Sequence, residues 1–392
     1  MDLKQQAEQR FAKVEEQLRE ISDWMYHHPE IAFQEQESSR RLVDFLATGG
    51  FEVEYPAYGL ATAFAARIGS GGPEVVICAE YDALPGVGHA CGHNIIATAA
   101  AGAGSALAEL ADQLGLRVTV LGTPAEEHFG GKVDLIEAGA FEGAAAAMMV
   151  HPSRHDVVDP LALAVAHLDL DYHGKAAHAS AYPQLGRNAL DAFVQAYVNI
   201  STLRQHLYPT DKIHGIITHG GDAPNVIPEH TASSWYVRAD TRQRLDELKE
   251  RVLACFAAGA EATGCTWEVA PVGHDYEDLV SAPVLVELFE RNARALGRSM
   301  QRGVELPVGT TGSTDMGNVS HVVPSLHPLL DIKPGEAVNH QPEFAAHTIT
   351  PDGEAAIRDG ALAMAWTIID LAVEHRWSDL RETSPGYRSG ER

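Results

Sequence analysis

Three short apolar runs limit what this chain can fold into: residues 74–79, 116–122 and 144–150. Each is apolar nearly throughout, and each breaks off into a loop carrying cysteine, histidine or glutamate. Runs of this kind belong in strands covered on both faces, which is the environment of a parallel sheet. Helical periods fall between them, at about 94–113 and 132–138. Strand and helix in alternation predict an α/β layer with a mostly parallel sheet. Upstream, Leu3, Ala7, Phe11, Val14, Leu18, Ile21 and Met25 mark one face of a helix over 2–26. A second helix is expected over about 36–48, with strands at 51–55 and 62–68.

The pattern changes near residue 163. Residues 164–173 alternate as a half-exposed strand. A helix (about 188–206), two strands (about 212–219 and 231–239), a helix (246–263) and a strand (265–272) follow. That βαββαβ order describes an α+β domain of ferredoxin-like type. With 392 residues the chain is too long for one ordinary core. The expected division is a catalytic domain in two segments, 1–163 and 279–392, with residues 164–278 inserted. The tail from about Ser378, rich in Ser, Gly, Arg and Glu, reads as loose.

Twenty-nine Lys and Arg against 54 Asp and Glu give a net charge of −25. That balance argues against nucleic acid and anionic membrane surfaces as partners, since both need a basic patch. No apolar run approaches the ~20 residues that span a bilayer. The N-terminus starts a charged amphipathic helix rather than a signal peptide, so a cytoplasmic protein is expected. Four cysteines, Cys78, Cys91, Cys255 and Cys265, suit reduced thiols rather than a disulfide framework. Only Cys91 has a polar, glycine-flanked setting.

Cys91 lies in His89-Ala-Cys91-Gly-His93-Asn94, at a loop-to-helix junction. Thiolate and imidazole are strong ligands for zinc-like ions. Glu126-Glu127 follow the second apolar run and His151 ends the third. Open α/β sheets bind ligands at this carboxyl edge. Adjacent side chains in extended backbone point opposite ways. One carboxylate of the pair is therefore expected on a metal, while its neighbour faces substrate and moves protons. His340 sits in a turn-rich loop, and His89 is a candidate backing group. In the inserted region His178 lies among alanines, Arg187 and Asn188 start a helix and could hold an anion, Asn225 occupies a Gly/Pro-rich loop, and Arg238 could grip a carboxylate. Taken singly, each has an ordinary reading as a solvated pair, a capping histidine or a surface group.

Together these residues resemble the M20 metallopeptidase and amidohydrolase family, and the likeness runs along nearly the whole chain. It takes in His28-Pro29-Glu30-Ile31, Glu80-Tyr81-Asp82-Ala83-Leu84-Pro85, the Cys91/His93 loop, Glu126-Glu127, His151, His178 and His340. The Cys-Gly-His pair is similar to subfamily D, where cysteine stands in place of the aspartate that bridges two metals in other branches. The resemblance implies two divalent ions, zinc or manganese, held by Cys91, His93, Glu127, His151 and His340. It implies Glu126 as general base and acid, Asp82 behind a ligand, and His178, Asn225 and Arg238 as lid positions that contact substrate, with His178 expected as the catalytic donor to the tetrahedral oxyanion. The inserted domain corresponds to the family's lid, through which a homodimer is expected. Many members of the branch read Gly-His-Asp, whereas this chain reads Gly92-His93-Asn94. Together with Gly130-Gly131-Lys132 and Gly312-Ser-Thr-Asp-Met-Gly317, that is closer to the aminobenzoyl-glutamate hydrolases and β-alanyl-lysine-type dipeptidases. The expected activity is hydrolysis of an amide in a dipeptide-like or N-acyl amino acid bearing a free carboxylate. A deacylase of different acyl preference and a non-catalytic metal-binding homologue are the alternatives.

Overall fold

The computed structural model describes residues 2–305 and 312–383. The chain divides into two compact units, Met1–Leu161 with Leu279–Arg392, and Ala162–Asp278. Among the described residues no helix is long and apolar enough to cross a membrane.

The first unit is built on strands β1 (Glu52–Glu54), β2 (Phe64–Ile68), β3 (Glu74–Ala79), β4 (Arg117–Gly122) and β5 (Ala144–Met148). They lie in the order β1-β2-β4-β3-β5, with the short strand Ser325–Leu326 beyond β5. The pairings β4 to β3, β3 to β5 and β5 to Ser325–Leu326 are parallel, while β1–β2 and β2–β4 are antiparallel. Burial explains the unbroken apolar runs. Val75, Val76, Ile77, Cys78 and Ala79 have no exposed surface, so neither face of β3 meets water. All three central strands point their carboxyl ends to one edge, and the loops that follow them carry the candidate ligands.

The helix His93–Leu107 fixes the position of one of those loops. Every residue in it except Ser105 is buried, which its run of alanine and glycine permits. The helices Leu3–His27 and Pro351–Val373 both pack against it. A Cβ on Gly102 would lie 2.8 Å from Phe11 Cε2 and 3.1 Å from Ala361 Cβ, one on each neighbour. The three helices therefore approach more closely than larger side chains would allow. The tail departs from expectation: Trp377–Thr383 is helical. Leu380 is buried and Trp377 packs on the main core, an anchor that the polar composition hides. The rest of the expected loose tail, 384–392, lies outside the described residues.

The second unit holds four strands, Ala164–His173, Lys212–His219, His230–Ala239 and Thr266–Pro271, and the helices Ala189–Leu203 and Arg242–Thr263. All strand pairs are antiparallel, in the order fourth, first, third, second along the chain. This is the split α+β arrangement of a ferredoxin-like fold. His230–Ala239 buries alternate residues, with Trp235 fully enclosed between sheet and helices. Asn188 caps its helix by accepting from Leu190 N at 2.9 Å and Asp191 N at 3.4 Å. Its side chain thereby occupies the amides that an anion would have needed, and the anion reading of that helix start falls.

Gly102→Val should overpack the three-helix contact and cost about 1–3 kcal/mol. Urea denaturation of the purified variant measures this; stability equal to the parent would contradict the packing.

Candidate metal centre

Asp82, three residues past the end of β3, ties the centre together. Its Oδ1 accepts from His93 Nδ1 at 2.9 Å, and its Oδ2 accepts from Glu127 N at 3.0 Å. The first bond fixes the His93 ring and turns Nε2 inward. The second fixes the loop that follows β4. Gly92, the middle of Cys-Gly-His, has φ +87°, and a Cβ there would sit 2.3 Å from Pro152 Cγ. Both conditions require glycine. Cys91 Sγ then lies 3.4 Å from His151 Nε2, whose other nitrogen donates to Pro152 O at 2.8 Å. His93 Nε2 stands 3.7 Å from Glu127 Oε1 and 3.9 Å from Glu126 Oε2. His340 enters from a distant loop. Its backbone N donates to Ala90 O at 2.8 Å, and its Nε2 lies 3.5 Å from Glu127 Oε2.

These side chains fit divalent ions. Cys91, His93 and His151 form one donor group and Cys91, Glu127 and His340 another, with Cys91 common to both. Two donors at 2.0–2.3 Å from one tetrahedral ion stand about 3.3–3.6 Å apart. The Cys91–His151 and Glu127–His340 separations, 3.4 and 3.5 Å, have this length. His93 Nε2 and Glu127 Oε1 are buried without a hydrogen-bond partner, a costly state unless a cation faces them. Protonation agrees. Burial, then Glu80, Glu127 and Asp315, push Glu126 well above the carboxylate range. Burial raises Glu127 to about 7 against the pull of His93. Burial and Glu127 raise the Cys91 thiol. Burial and His93 bring His151 down to about 4, leaving a neutral imidazole. A bound cation inverts this balance and favours the anionic donors.

Residues 76–365 match the peptidase family M20/M25/M40. The chain belongs to that family. It is 39% identical to Xaa-Arg dipeptidase of Mus musculus over 388 residues, covering 94% of this chain and 89% of the relative. It is 32% identical to a p-aminobenzoyl-glutamate hydrolase subunit of Escherichia coli (strain K12) over 270 residues, 64% of this chain and 56% of that protein. Among solved structures, a dinuclear metal binding peptidase of the M20 family from Bacillus subtilis superposes with a TM-score of 0.69 at 21% identity, covering 91% of this chain and 99% of that one. This M20 enzyme is therefore a hydrolase of the peptidase and amidohydrolase class, with the two-unit fold of its relatives.

The structure brings Cys91, His93, Glu126, Glu127, His151 and His340 together around Asp82. Two expectations about their surroundings change. Glu126 and Glu127 sit in a turn, not in extended backbone, because Ala125 before them has φ +61°. Asn94 faces away from the donors: its Nδ2 donates to Ser22 Oγ at 3.0 Å and Thr348 Oγ1 at 3.1 Å, knitting helices together. Asn94 is thus buried between helices rather than placed among the donors.

His178 and Asn225 lie on adjoining loops of the second unit, joined by Ala179 N to Asn225 O at 3.0 Å and by a bridge from His178 to Val226. Arg238 is not with them. His230 pairs with His173 at their end of the sheet, whereas Arg238 pairs with Val165. Eight residues of strand put Arg238 about 26 Å from that end.

Sequence reasoning gave no role to four buried groups, Lys132, Asp315, His327 and Glu35, although the first two lie in motifs it used. Lys132 Nζ donates to Asp315 Oδ1 at 2.7 Å and to Glu80. His327 follows the strand Ser325–Leu326 and lies 5.5 Å, ring to ring, from His151. Glu35 accepts from Ala125 N at 3.0 Å and Thr62 Oγ1 at 2.9 Å, so it supports the turn that carries Glu126. The strand-end position of His327 was a usable signal. Nothing local marks Glu35.

Burial, with Asp82, raises Glu35 from 4.5 to about 7. Its proton is held in the folded protein where the unfolded chain has released it. The stability it confers is full below pH 4.5 and lost as pH rises through about 7. Glu35→Gln should flatten that part of the stability curve and, by loosening the turn, lower kcat up to about 100-fold. Denaturation from pH 4.5 to 8 with parallel kinetics tests both; an unchanged slope and rate would refute this role.

Proposed function

We propose that this M20 enzyme cleaves the amide bond of a small dipeptide-like substrate with a free carboxylate, using two divalent ions. The observation that carries the proposal is the pair of donor groups sharing Cys91, with Glu126 beside them. Cys91, His93 and His151 would hold one ion, and Cys91, Glu127 and His340 the other. Divalent ions at such a centre supply Lewis acidity that acidifies water and polarises the amide carbonyl. Glu126 takes the proton of the attacking water and returns it to the leaving amine nitrogen. Asp82 keeps His93 and the Glu127 loop in register throughout. The thiolate favours zinc, while the glutamate suits manganese equally. The names of relatives, Xaa-Arg dipeptidase and p-aminobenzoyl-glutamate hydrolase, support dipeptides and N-acyl amino acids as the substrate class. Four free thiols agree with a reducing, cytoplasmic setting.

His178, Asn225 and Arg238 serve the substrate in this proposal, and their spacing requires two copies of the chain. An extended dipeptide is about 7 Å long. It cannot touch both ends of a strand stretch about 26 Å long. The strand Lys212–His219 is a sheet edge and exposes Ile216 and Ile217. Val194, Tyr197 and Val198 make an exposed apolar row on the helix Ala189–Leu203. An open edge with apolar neighbours supports association of two such units.

Glu126→Gln should keep wild-type metal content and lose about 100- to 10,000-fold in kcat, measured by released amine over dipeptides and aminobenzoyl-glutamate. Full activity in that variant would remove Glu126 from its role. Mixing inactive His178→Ala and Arg238→Ala chains should restore activity through mixed dimers. A monomeric parent by light scattering, or no recovery on mixing, would refute the two-copy arrangement.

A further inference from the structure

Glu80 is a buried carboxylate of the centre that the five-donor set leaves unused. It follows β3 directly and has no exposed surface. One oxygen, Oε1, pairs with Lys132 Nζ, and Asp315 Oδ1 holds the same ammonium at 2.7 Å. Lys132 and Asp315 are themselves fully enclosed. The other oxygen, Oε2, is buried and has no hydrogen-bond partner. It lies 3.5 Å from His93 Nε2, which is also without a partner. Two buried, unpartnered polar atoms facing each other in a dry site call for an explanation, and a cation held by both supplies one.

The distance agrees with that explanation. His93 has given Nδ1 to Asp82, so Nε2 is its one nitrogen free for an ion. Donors on one zinc-like ion stand about 3.3–3.6 Å apart. Glu80 Oε2 and His93 Nε2 have this spacing, as do Cys91–His151 and Glu127–His340. Glu126, at 3.9 Å from His93, stands farther off. Glu80, His93 and Glu126 also form a donor group of their own, all three buried.

We infer that Glu80 is a further protein ligand, binding through Oε2 the ion that His93 holds. Lys132 and Asp315 fix the carboxylate from behind and restrict it to one coordinating oxygen. The consequence is selectivity. Glu80 adds a hard, anionic oxygen to a sulfur and nitrogen set, and so moves that ion's site from a zinc preference toward manganese. The Gly-Gly-Lys and Ser-Thr-Asp motifs gain a purpose, because they deliver the two residues that hold Glu80.

The inference rests on the metal-centre reading and is tested on the full chain, stripped with a chelator and reloaded with zinc, manganese or cobalt. Glu80→Gln keeps the shape and removes the charge. Glu80→Asp keeps the charge for Lys132 and withdraws the oxygen by one methylene, so it serves if the first variant fails to fold. Wild type is expected to take two ions per chain. Each variant should hold one tightly and bind the other about 10–100-fold more weakly, with manganese suffering more than zinc. The visible spectrum of the cobalt form, which reports coordination number, should change. Two ions bound at wild-type affinity with an unchanged cobalt spectrum would overturn the role of Glu80. A wild-type chain that binds no ion would instead overturn the metal-centre reading on which it rests.

Discussion

One carboxylate organises the centre. Asp82 accepts from the His93 ring with one oxygen and from the Glu127 backbone with the other. The loop after β3, the start of the helix His93–Leu107 and the loop after β4 are thereby held to a single buried group. Charge-assisted hydrogen bonds in a site closed to water are stronger than exposed ones and tolerate less movement. Asp82 stays below the usual carboxylate range although burial opposes it, because His93, the Glu127 N–H and Lys132 all favour its anion. His93 rises in turn: burial pushes it down, but Asp82 and Cys91 outweigh that. The bond to Asp82 occupies Nδ1 and leaves Nε2 turned toward the other donors.

The concentration of acids around that pair needs its own account. Glu80, Asp82, Glu126 and Asp315 are all buried, and so is the Cys91 thiol. Taking so many carboxyls out of water is unfavourable unless cations accompany them. Lys132 answers two of them, and its own pKa is raised, because Asp315 and Glu80 outweigh its desolvation. Burial nevertheless raises Asp315 to about 6 and lifts Glu126 and Glu127 as well. The acids are separated by geometry instead: Glu80 and Asp315 meet on the Lys132 ammonium, while Glu126 and Glu127 sit in the turn beside His93. The net charge of −25 is no guide to this division.

Much of this was legible in the chain, for a physical reason. A parallel sheet delivers its strand ends to one edge, so residues far apart in sequence share a site if each ends a buried run. Cys91, His93, Glu126, Glu127 and His151 could be read that way. His340 could not, since its loop follows no such run; it was named through the family likeness alone. Glu35 was invisible because its partner, Ala125, is 90 positions away, and neither residue looks unusual in its own loop. Lys132 and Asp315 stand 183 residues apart, and neither motif says that the fold buries the two side chains against each other. The turn at Glu126 escaped for a local reason: alanine at φ +61° is strained, and the sequence favours no such conformation there. The two hydrogen bonds of Glu35 hold what the local sequence does not.

The inserted unit shows where reading stops for a different reason. Sequence alone could nominate His178, Asn225 and Arg238 but not group them, because grouping depends on strand register. The register sets His230 against His173 and Arg238 against Val165, so the nominated residues divide between the two ends of one antiparallel pair. Side chains at His230 and Arg238 share the face away from the core, as the alternating burial of that strand requires. The sheet keeps them about 26 Å apart along the strand. That separation is what leads the proposal to two copies of the chain: strand register, and not residue type, decides which of these side chains one small substrate can reach.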